Sequence, residues 1–219
     1  MADFQGRAVI LTGATGGFGQ AAARHFAKAG AKLVLSDLGS DRLEALVGEL
    51  GGQAIAVSGD ISDPQLSEQL VEKALSQFGR LDIAINNAGI AHDMMPLPKT
   101  PIAEARKVID IDLMGVFYAM RAQLPALEAR FRETGEAGAI EYARRGVRVN
   151  ALCPSFARTP MATDFLDRAG KDRAAAEASL VQAIPMRRLA EVEEVIAGMI
   201  YLADPASSFV TGQTLQVDG

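Results

Sequence analysis

The chain has 219 residues, of which 49% are hydrophobic and 5% aromatic, and its formal net charge at pH 7 is −5. That length suits one domain with a sizeable core, so residues 1–219 are expected to fold together. The acidic balance and the lack of a basic run argue against a nucleic-acid-binding surface. No apolar stretch is long enough to span a membrane, and the first residues lack the apolar run of a signal peptide. We therefore expect a cytoplasmic protein with no membrane partner.

Apolar, strand-like runs alternate with helix-like segments from the start of the chain. Strands are predicted at about 7–12, 32–37, 53–58 and 82–86, with helices between them at about 17–29, 41–50 and 64–78. A long helical segment is predicted at about 102–132, then a strand near 147–152, a helical stretch near 160–182, a helix near 190–203 and a strand near 214–218. Strands that alternate with helices indicate right-handed βαβ units. The predicted fold class is therefore α/β, a single-domain, doubly wound parallel sheet flanked by helices.

A glycine-rich turn joins the first predicted strand to the first predicted helix, where residues 12–19 read TGATGGFG. The first N–H groups of a helix have no partner within the helix, and the helix dipole places partial positive charge there. Glycines let the backbone approach a pyrophosphate and let the helix pack closely on its strand. In this context the turn predicts a dinucleotide site. The residues assigned to it are Gly13, Thr15, Gly17, Phe18 and Gly19.

Asp37 ends the second predicted strand, eighteen residues after Gly19. A carboxylate there can accept hydrogen bonds from the ribose hydroxyls of an adenosine, and it would repel a 2′-phosphate. No Lys or Arg stands at Gly16 or Leu38, where a compensating cation would be expected. The pattern favours NAD over NADP and adds Asp37 and Leu38 to the cofactor site. The alternative is that Asp37 only caps the following turn.

The third and fourth predicted strands end in polar or small residues. Asp60 could bond an adenine amino group with Ile61 packed nearby; the alternative is an aspartate that only forms the local turn after Gly59. The next strand ends in the sequence NNAG at 86–89. Ligands of open α/β sheets bind outside the carboxyl ends of the strands, so Asn87, Ala88 and Gly89 are also assigned to the cofactor cleft. The alternative for 86–89 is a simple Asn-Gly-type turn.

Three other residues are functional candidates by residue type. The single cysteine, Cys153, lies in an apolar run and is expected to be a buried, inert thiol. His25 is expected to be an ordinary surface or rim residue of the first helix. His92 is expected to be a solvated loop residue, with a substrate contact as the less favoured alternative. No cluster of His, Cys and Asp has metal-ligand spacing, so no metal site is expected.

Together these residues resemble the short-chain dehydrogenase/reductase family. Beyond the glycine turn and Asp37, the matching stretches are GDI at 59–61, NNAG at 86–89, RVNALCP at 148–154, TPM at 159–161 and TGQTLQVDG at 211–219. They keep the family's order over nearly the whole chain. The resemblance implies a Rossmann-type sheet, a nicotinamide cofactor and hydride transfer between an alcohol and a ketone.

The resemblance also carries expectations for the second half of the chain. It implies that Pro154, Ser155, Phe156 and Thr159 line the nicotinamide end of the cofactor, although Ser155 stands where the family usually has glycine. The family often forms dimers and tetramers. We therefore expect a homodimer or homotetramer that acts on a small-molecule alcohol or carbonyl substrate.

The family's proton-transfer residues are not found in the sequence. The family uses a serine and a Tyr-x-x-x-Lys pair, in which a lysine ammonium lowers the pKa of the tyrosine hydroxyl. The three tyrosines are Tyr118, Tyr142 and Tyr201, and none is followed by a lysine four positions later. Residues 138–140 resemble the start of the family's fifth strand, and residues 141–146 resemble the end of its following helix. A strand and a helix are therefore expected to be missing between Ile140 and Glu141.

Asp112 falls where the family has its active-site asparagine, a position that helps to hold a water in the proton relay. An aspartate could still order water, and we treat Asp112 as a candidate catalytic residue. The alternative is a polar residue at a helix kink.

Two functions from different classes remain open. The first is an NAD-dependent alcohol/ketone oxidoreductase whose catalytic segment lies outside the 219 residues. The second is a catalytically silent nucleotide-binding protein of the same fold. A Tyr-x-x-x-Lys sequence between Ile140 and Glu141 in the reading frame would decide for the enzyme.

Overall fold

The computed structural model describes residues 3–91, 95–134, 142–168 and 172–219. Its main sheet is built from the first four strands: β1 (Ala8–Thr12), β2 (Lys32–Asp37), β3 (Ala54–Ser58) and β4 (Ile83–Ile85). The strands are parallel and lie in the order β3-β2-β1-β4. Every residue of β1 is buried, because this strand has a partner on each side and helices over both faces.

The helices that connect these strands cover the sheet on both sides. They are α1 (Gly17–Lys28), α2 (Ser40–Glu49) and α3 (Pro64–Phe78). Side chains alternate between the two faces of a strand, so Val9 and Leu11 pack in one apolar cluster with Phe26 of α1. Ile10, between them, packs in a second cluster with Leu70 of α3. The sheet is therefore doubly wound, as the sequence predicts.

The second half of the chain adds helices to both faces and a second, smaller sheet. After β4 come α4 (Ile102–Val108), a π-helical segment (Ile109–Met114) and α5 (Gly115–Thr134). Then follow β5 (Ala151–Pro154), α6 (Pro160–Arg168), α7 (Arg173–Gln182), α8 (Val192–Ala203) and β6 (Thr214–Val217). Strands β5 and β6 form a separate parallel pair. Helix α5 packs on α3, and α8 packs on α1.

The predicted bounds of the first seven elements agree with the structure to within one residue. The strand predicted at 147–152 is displaced, because its ladder with β6 begins only at Ala151. Val149, two residues earlier, is held by a loop instead: its N–H donates to Thr211 Oγ1 and its carbonyl accepts from the Gly212 N–H. The helical stretch predicted at 160–182 is two helices, α6 and α7.

The prediction of a buried cysteine is wrong, because Cys153 is exposed. Its neighbour Leu152 packs against α8, where a Cβ atom on Gly198 would lie 3.1 Å from Leu152 Cδ1. Since side chains alternate along a strand, Cys153 points to the opposite face of β5, which no described element covers.

A cleft of about 750 Å³ lies between β4 and β5. Residues of β4 line one of its sides and residues of β5 line another, while α5 and α8 contribute the remaining walls. We call this cleft the slot. His92 and the junction between Ile140 and Glu141 lie outside the described residues.

Candidate functional site

The glycine turn between β1 and α1 is held so tightly that side chains would not fit. Gly13 has a φ of +65°, which favours glycine, and a Cβ atom there would lie 2.8 Å from the Ala88 Cα. A Cβ atom on Gly17 would lie 2.9 Å from Thr159 Cβ, and one on Gly19 would collide with the Gly13 carbonyl oxygen. These three glycines let the turn between β1 and α1 approach two other loops closely. One is the loop after β4, at Ala88, and the other is the loop after β5, at Thr159.

The N-terminus of α1 has neither a capping side chain nor an acidic residue in its first turn. Helix α3 differs, because Asp63 caps it by accepting a hydrogen bond from the Gln65 N–H at 2.9 Å. Within the described part of the chain, the first N–H groups of α1 therefore have no capping side chain at the carboxyl edge of the sheet. Such a terminus, with its partial positive charge, can bind a phosphate group.

The loop after β4 is tied directly to the glycine turn. Thr12 Oγ1 accepts hydrogen bonds from the N–H groups of Asn87 and Ala88, both at 3.1 Å. The Asn87 side-chain amide donates to the carbonyl oxygens of Thr12 and Gly13, at 3.0 and 3.1 Å. The predicted site residues at 87–89 and 13–19 therefore lie side by side, and Asn87 fixes the spacing between the two strand ends.

Asp37, at the end of β2, also holds the glycine turn. Its Oδ2 accepts the Thr15 N–H at 2.8 Å and the Thr15 hydroxyl at 2.7 Å, and its Oδ1 accepts the Leu38 N–H at 2.8 Å. A carboxylate has about four lone-pair sites, so Oδ1 can still accept a hydroxyl. The turn-capping alternative and the ribose prediction are compatible in this geometry.

Asp60 forms the local turn that the sequence left open as an alternative. Its Oδ1 accepts the Ser62 N–H at 2.9 Å and the Ser62 hydroxyl at 2.7 Å. These two hydrogen bonds hold the pKa of Asp60 below its usual value, and the charge of Lys107 acts in the same direction. Ile61, next to it, packs near Gly115 at the start of α5, where a Cβ atom would lie 3.1 Å from Ile61 Cγ2.

The loop that follows β5 reaches the glycine turn from the other side. The Ser155 N–H donates to the Val217 carbonyl at 3.1 Å, and the Phe156 carbonyl accepts from the Ala190 N–H at 3.0 Å. Thr159 then lies against Gly17, and Pro154 lines the slot. The predicted residues of this loop thus stand opposite the loop that follows β4.

Asp112 lies in the π-helical segment that separates α4 from α5. Its Oδ1 accepts the Ile90 N–H at 2.9 Å, and a Cβ atom on Gly89 would lie 3.5 Å from that oxygen. The side chain is exposed and borders the loop after β4. Single π-helical turns inside helices are frequent at functional sites, and this one brings Asp112 to the same strand ends as the glycine turn.

Sequence reasoning missed a buried amide pair beside this site. Asn86 and Gln123 exchange two hydrogen bonds, at 2.9 and 3.0 Å, between the end of β4 and α5. Gln123 is only 3% exposed. The sequence signal for this pair is a glutamine between an alanine and a leucine in a helix. A polar side chain among apolar neighbours can be buried, and a buried polar group needs a hydrogen-bond partner.

The described residues hold neither a metal cluster nor a membrane-spanning helix. No group of three or more His, Cys, Asp or Glu side chains could hold a metal ion. Among the helices that the structure describes, none is both long and apolar enough to cross a membrane.

Two family models match the chain and together cover most of it. The model described as short chain dehydrogenase matches residues 7–140. The model described as enoyl-(acyl carrier protein) reductase matches residues 129–219.

The chain is also similar to known proteins over almost its whole length. It is 32% identical to a cyclohexanol dehydrogenase of Acinetobacter sp. (strain SE19), an alignment that covers 99% of this chain and 95% of the relative. It is 32% identical to a cis-4-hydroxycyclohexanecarboxylate dehydrogenase of Sinomonas cyclohexanicum, with 99% and 96% covered. The alignments extend over 248 and 247 positions, so each relative has residues that face a gap in this chain of 219.

A solved structure of similar fold carries a nicotinamide cofactor. It is a 3-ketoacyl-(acyl-carrier-protein) reductase from Brucella melitensis complexed with NADH, with a TM-score of 0.89 and 30% identity over 99% of this chain and 98% of that one. The doubly wound fold, the glycine turn and these matches all indicate the same family. The chain belongs to the short-chain dehydrogenase family, and its fold is a single Rossmann-type α/β domain.

Proposed function

We propose that the protein is an NAD-dependent oxidoreductase that interconverts a secondary alcohol and a ketone, with cyclic secondary alcohols as its substrates. The observation that carries the proposal is the uncapped N-terminus of α1 beside Gly13, Gly17 and Gly19, in a chain whose family uses NAD(P). The substrate class rests on the names of two relatives, cyclohexanol dehydrogenase and cis-4-hydroxycyclohexanecarboxylate dehydrogenase. Both names describe a six-membered ring with a secondary hydroxyl group.

The preference for NAD over NADP is supported by the end of β2. Asp37 places a carboxylate beside the glycine turn, with capacity left on Oδ1 for a ribose hydroxyl. Leu38 is 67% exposed and apolar, so it offers no charge to a 2′-phosphate. Asp60, Ile61 and residues 87–89 complete the adenosine side of the proposed site.

The proposed reaction moves a hydride from the carbinol carbon and a proton from the hydroxyl group. The bound cofactor supplies the hydride acceptor. The loop with Pro154, Ser155, Phe156 and Thr159 would border the nicotinamide, and Asp112 would hold a water in the path of the departing proton. Asp112 is suited to this role because its Oδ1 is oriented by the Ile90 N–H while the side chain is exposed.

We further propose that the residues that exchange the proton with the substrate belong to a segment of the natural polypeptide between Ile140 and Glu141. Three observations support this. The alignments with relatives are longer than this chain, the short chain dehydrogenase match ends at residue 140, and the slot lies between β4 and β5. By resemblance, that segment would carry the serine and the Tyr-x-x-x-Lys pair.

One observation favours the catalytically silent alternative, namely that the 219 residues contain no Tyr-x-x-x-Lys sequence. In that case the protein would bind a dinucleotide without turning over an alcohol.

The deciding experiment compares the protein expressed from its own gene with the 219-residue chain. We expect the natural protein to have an intact mass above 23.1 kDa, to bind NADH and to reduce NAD when cyclohexanol is added. The 219-residue chain is expected to bind NADH without turnover. A natural mass of 23.1 kDa with binding and no turnover would establish the silent protein, and failure of both proteins to bind NADH would overturn both functions.

A pair of glycine variants controls the binding measurement. Gly19→Ala should abolish NADH binding, because its Cβ atom collides with the Gly13 carbonyl. Gly48→Ala is the matched control, since a Cβ atom on this helical glycine would meet nothing within 4 Å.

The protein is also proposed to form a homodimer or homotetramer. A row of large apolar side chains is exposed along α4, the π-helical segment and α5, at Ile102, Ile109, Leu113 and Phe117. The last three are spaced by four residues and share one helix face. An exposed apolar row of this kind is typical of an interface with another protein. A second copy of the chain could cover the row with its own identical row across a twofold axis.

A further inference from the structure

The chain bends at the carboxyl end of β4, and the bend is centred on Asn86. The strand ends at Ile85, and the Asn87 N–H donates to the Ile85 carbonyl oxygen at 3.1 Å, which closes a three-residue turn around Asn86. Turns of this kind are common at strand ends. The N–H groups of Asn87 and Ala88 then bond to Thr12 of β1. The direction of the bend therefore decides where the loop after β4 lies relative to the glycine turn.

The side chain at the centre of this bend is held by α5. The Asn86 amide donates to Gln123 Oε1 at 3.0 Å, and the Gln123 amide donates to Asn86 Oδ1 at 2.9 Å. Each side-chain amide carries both donors and an acceptor. Turning either amide over would bring donor against donor and acceptor against acceptor, so the reciprocal pair fixes the orientation of both groups.

Gln123 occupies a position on α5 that packing alone would give to an apolar residue. Ala119 and Leu127 lie one helical turn to either side of it, on the same face of the helix. Ala119 is 1% exposed and Gln123 is 3% exposed, and Leu127 packs in the apolar cluster that includes Leu70 of α3. A buried amide costs free energy unless it is hydrogen-bonded. The glutamine is therefore explained by its bonds to Asn86 and not by the packing of α5.

The same helical segment also holds the other end of the loop. Asp112, in the π-helical segment before α5, accepts the Ile90 N–H at 2.9 Å. Between these two ties the loop touches the glycine turn, because a Cβ atom on Gly13 would lie 2.8 Å from the Ala88 Cα. Since the two backbones are this close, even a small shift of the bend would change the shape of the candidate cofactor site.

We propose that Gln123 is a positioning residue of the candidate cofactor site. It acts through Asn86, whose bend it fixes, and so sets the separation between the loop at 87–89 and the glycine turn at 13–19. The proposal rests on the proposed function in one respect, namely that a dinucleotide binds at these two loops. Groups that are held in place before binding contribute to affinity, because less conformational freedom is lost when the ligand binds.

The variant Gln123→Leu tests this role, because it suits the apolar face of α5 and leaves the Asn86 amide without its partner on that helix. In the cofactor-free protein we expect the Asn87 and Ala88 amides to exchange with deuterium at least about tenfold faster, since their bonds to Thr12 open more often. The dissociation constant of NADH should rise about tenfold, which corresponds to roughly one lost hydrogen bond. Gln69→Leu, the same change at an exposed position of α3, should alter neither quantity.

A double variant, Asn86→Leu with Gln123→Leu, separates positioning from stability. Gln123→Leu alone should lower the urea midpoint of unfolding, because it leaves a polar group near the core without its partner. Replacing both partners by apolar groups removes that penalty, so the double variant should regain the midpoint of the unchanged protein. Its bend is still not tied to α5, so fast exchange and weak NADH binding should persist. If both recover together with the midpoint, the pair is only a part of the core and the proposal is overturned.

The two readouts distinguish a failed cofactor site from a failed positioning role. If the unchanged protein does not bind NADH, the proposed function is overturned, while the exchange rates of the cofactor-free protein still show whether Gln123 holds the bend. If the unchanged protein binds NADH, and Gln123→Leu exchanges and binds as the unchanged protein does, the positioning role alone is overturned.

Discussion

A single residue, Asp37, connects the end of β2 with the glycine turn in the proposed adenosine site. It accepts three hydrogen bonds, two of them from Thr15 and one from Leu38. Its carboxylate therefore shapes the glycine turn and also gives the turn a negative charge. An asparagine at this position removes the charge and also one of the two acceptor atoms, so the ratio of NADH to NADPH affinity, and not NADH affinity alone, tests the effect of the charge on cofactor choice.

The first prediction concerns Asp37→Asn, which keeps the shape of the side chain and removes its charge. We expect NADH to bind about tenfold more weakly, because hydrogen bonds to charged groups contribute about 1.5–3 kcal/mol, while NADPH loses a repulsion and gains relative to NADH. Titrations of both cofactors measure the ratio of the two dissociation constants. Asp41→Asn, an exposed change of the same charge on α2, is the control. An unchanged ratio in Asp37→Asn would contradict the ribose role.

Single residues differ in how far the sequence could place them. Asp37 and Asn87 follow from strand ends, because all carboxyl ends of a parallel sheet lie at one edge. Gln123 could not be found in this way, since its partner Asn86 is 37 positions away and the pairing depends on how α5 lies over β4. The sequence predicts a buried Cys153 from the apolar run around it, but the side chain is exposed. Exposure depends on which elements cover that face of β5, and the local sequence does not specify them.

At the level of elements, the long helix from residue 102 shows the limit of periodicity. The sequence predicts one continuous helix, whereas the structure has a π-helical segment at Ile109–Met114. A π-helical turn keeps the chain helical and is built from the same residue types as an α-helix, so composition does not mark where it begins. Its consequence is local, because it presents Asp112 to the loop after β4.

A buried ion cluster ties several elements together at the amino edge of the sheet. Asp82, whose side chain is 3% exposed, precedes β4 and accepts the Ala8 N–H at 2.8 Å. Its carboxylate also bonds Arg80, and Arg130 of α5 at 3.3 Å. Burial pushes the pKa of Asp82 up, but the hydrogen bonds from Arg80, Ala8 and Arg130 outweigh it, so that the pKa lies below its usual value.

The second prediction is that Asp82 stabilises the fold only above acidic pH. Because its pKa is lowered in the folded state, the stabilisation is complete above the unfolded value of about 3.9 and is lost as the pH falls through the lower folded value. Asp82→Asn should reduce the free energy of unfolding by roughly 2–3 kcal/mol at pH 7, and the difference should shrink below about pH 4. Urea unfolding at several pH values measures it.

The control for this measurement is Asp172→Asn. Asp172 is exposed and its side chain does not cap α7, so its loss should change the unfolding free energy little at any pH. A deficit in Asp82→Asn that stays constant down to acidic pH would show that packing, and not the ionised carboxylate, is responsible.

At the level of the whole molecule, the family's order of elements is kept, but the described strands form two sheets instead of one. The sequence indicates this division only indirectly, because a strand and a helix are expected to be missing between Ile140 and Glu141. The parallel pairing of β1 to β4 follows from the βαβ pattern, whereas the separation of β4 from β5 depends on tertiary packing that the sequence of neither strand encodes. The same reasoning applies to the exposed row on α4 and α5, whose proposed partner is a second copy of the chain.

The third prediction concerns that row. Leu113 and Phe117 are 62% and 56% exposed, and their burial against a second copy would contribute about 25 cal/mol per Å² of apolar surface. Changing both to lysine removes this contribution and places like charges opposite each other across a symmetric contact. We expect light scattering to show a dimer or tetramer for the unchanged protein and a smaller species for the double variant. Phe209→Lys, at a fully exposed position outside the row, should leave the assembly intact; the opposite pattern would locate the interface elsewhere.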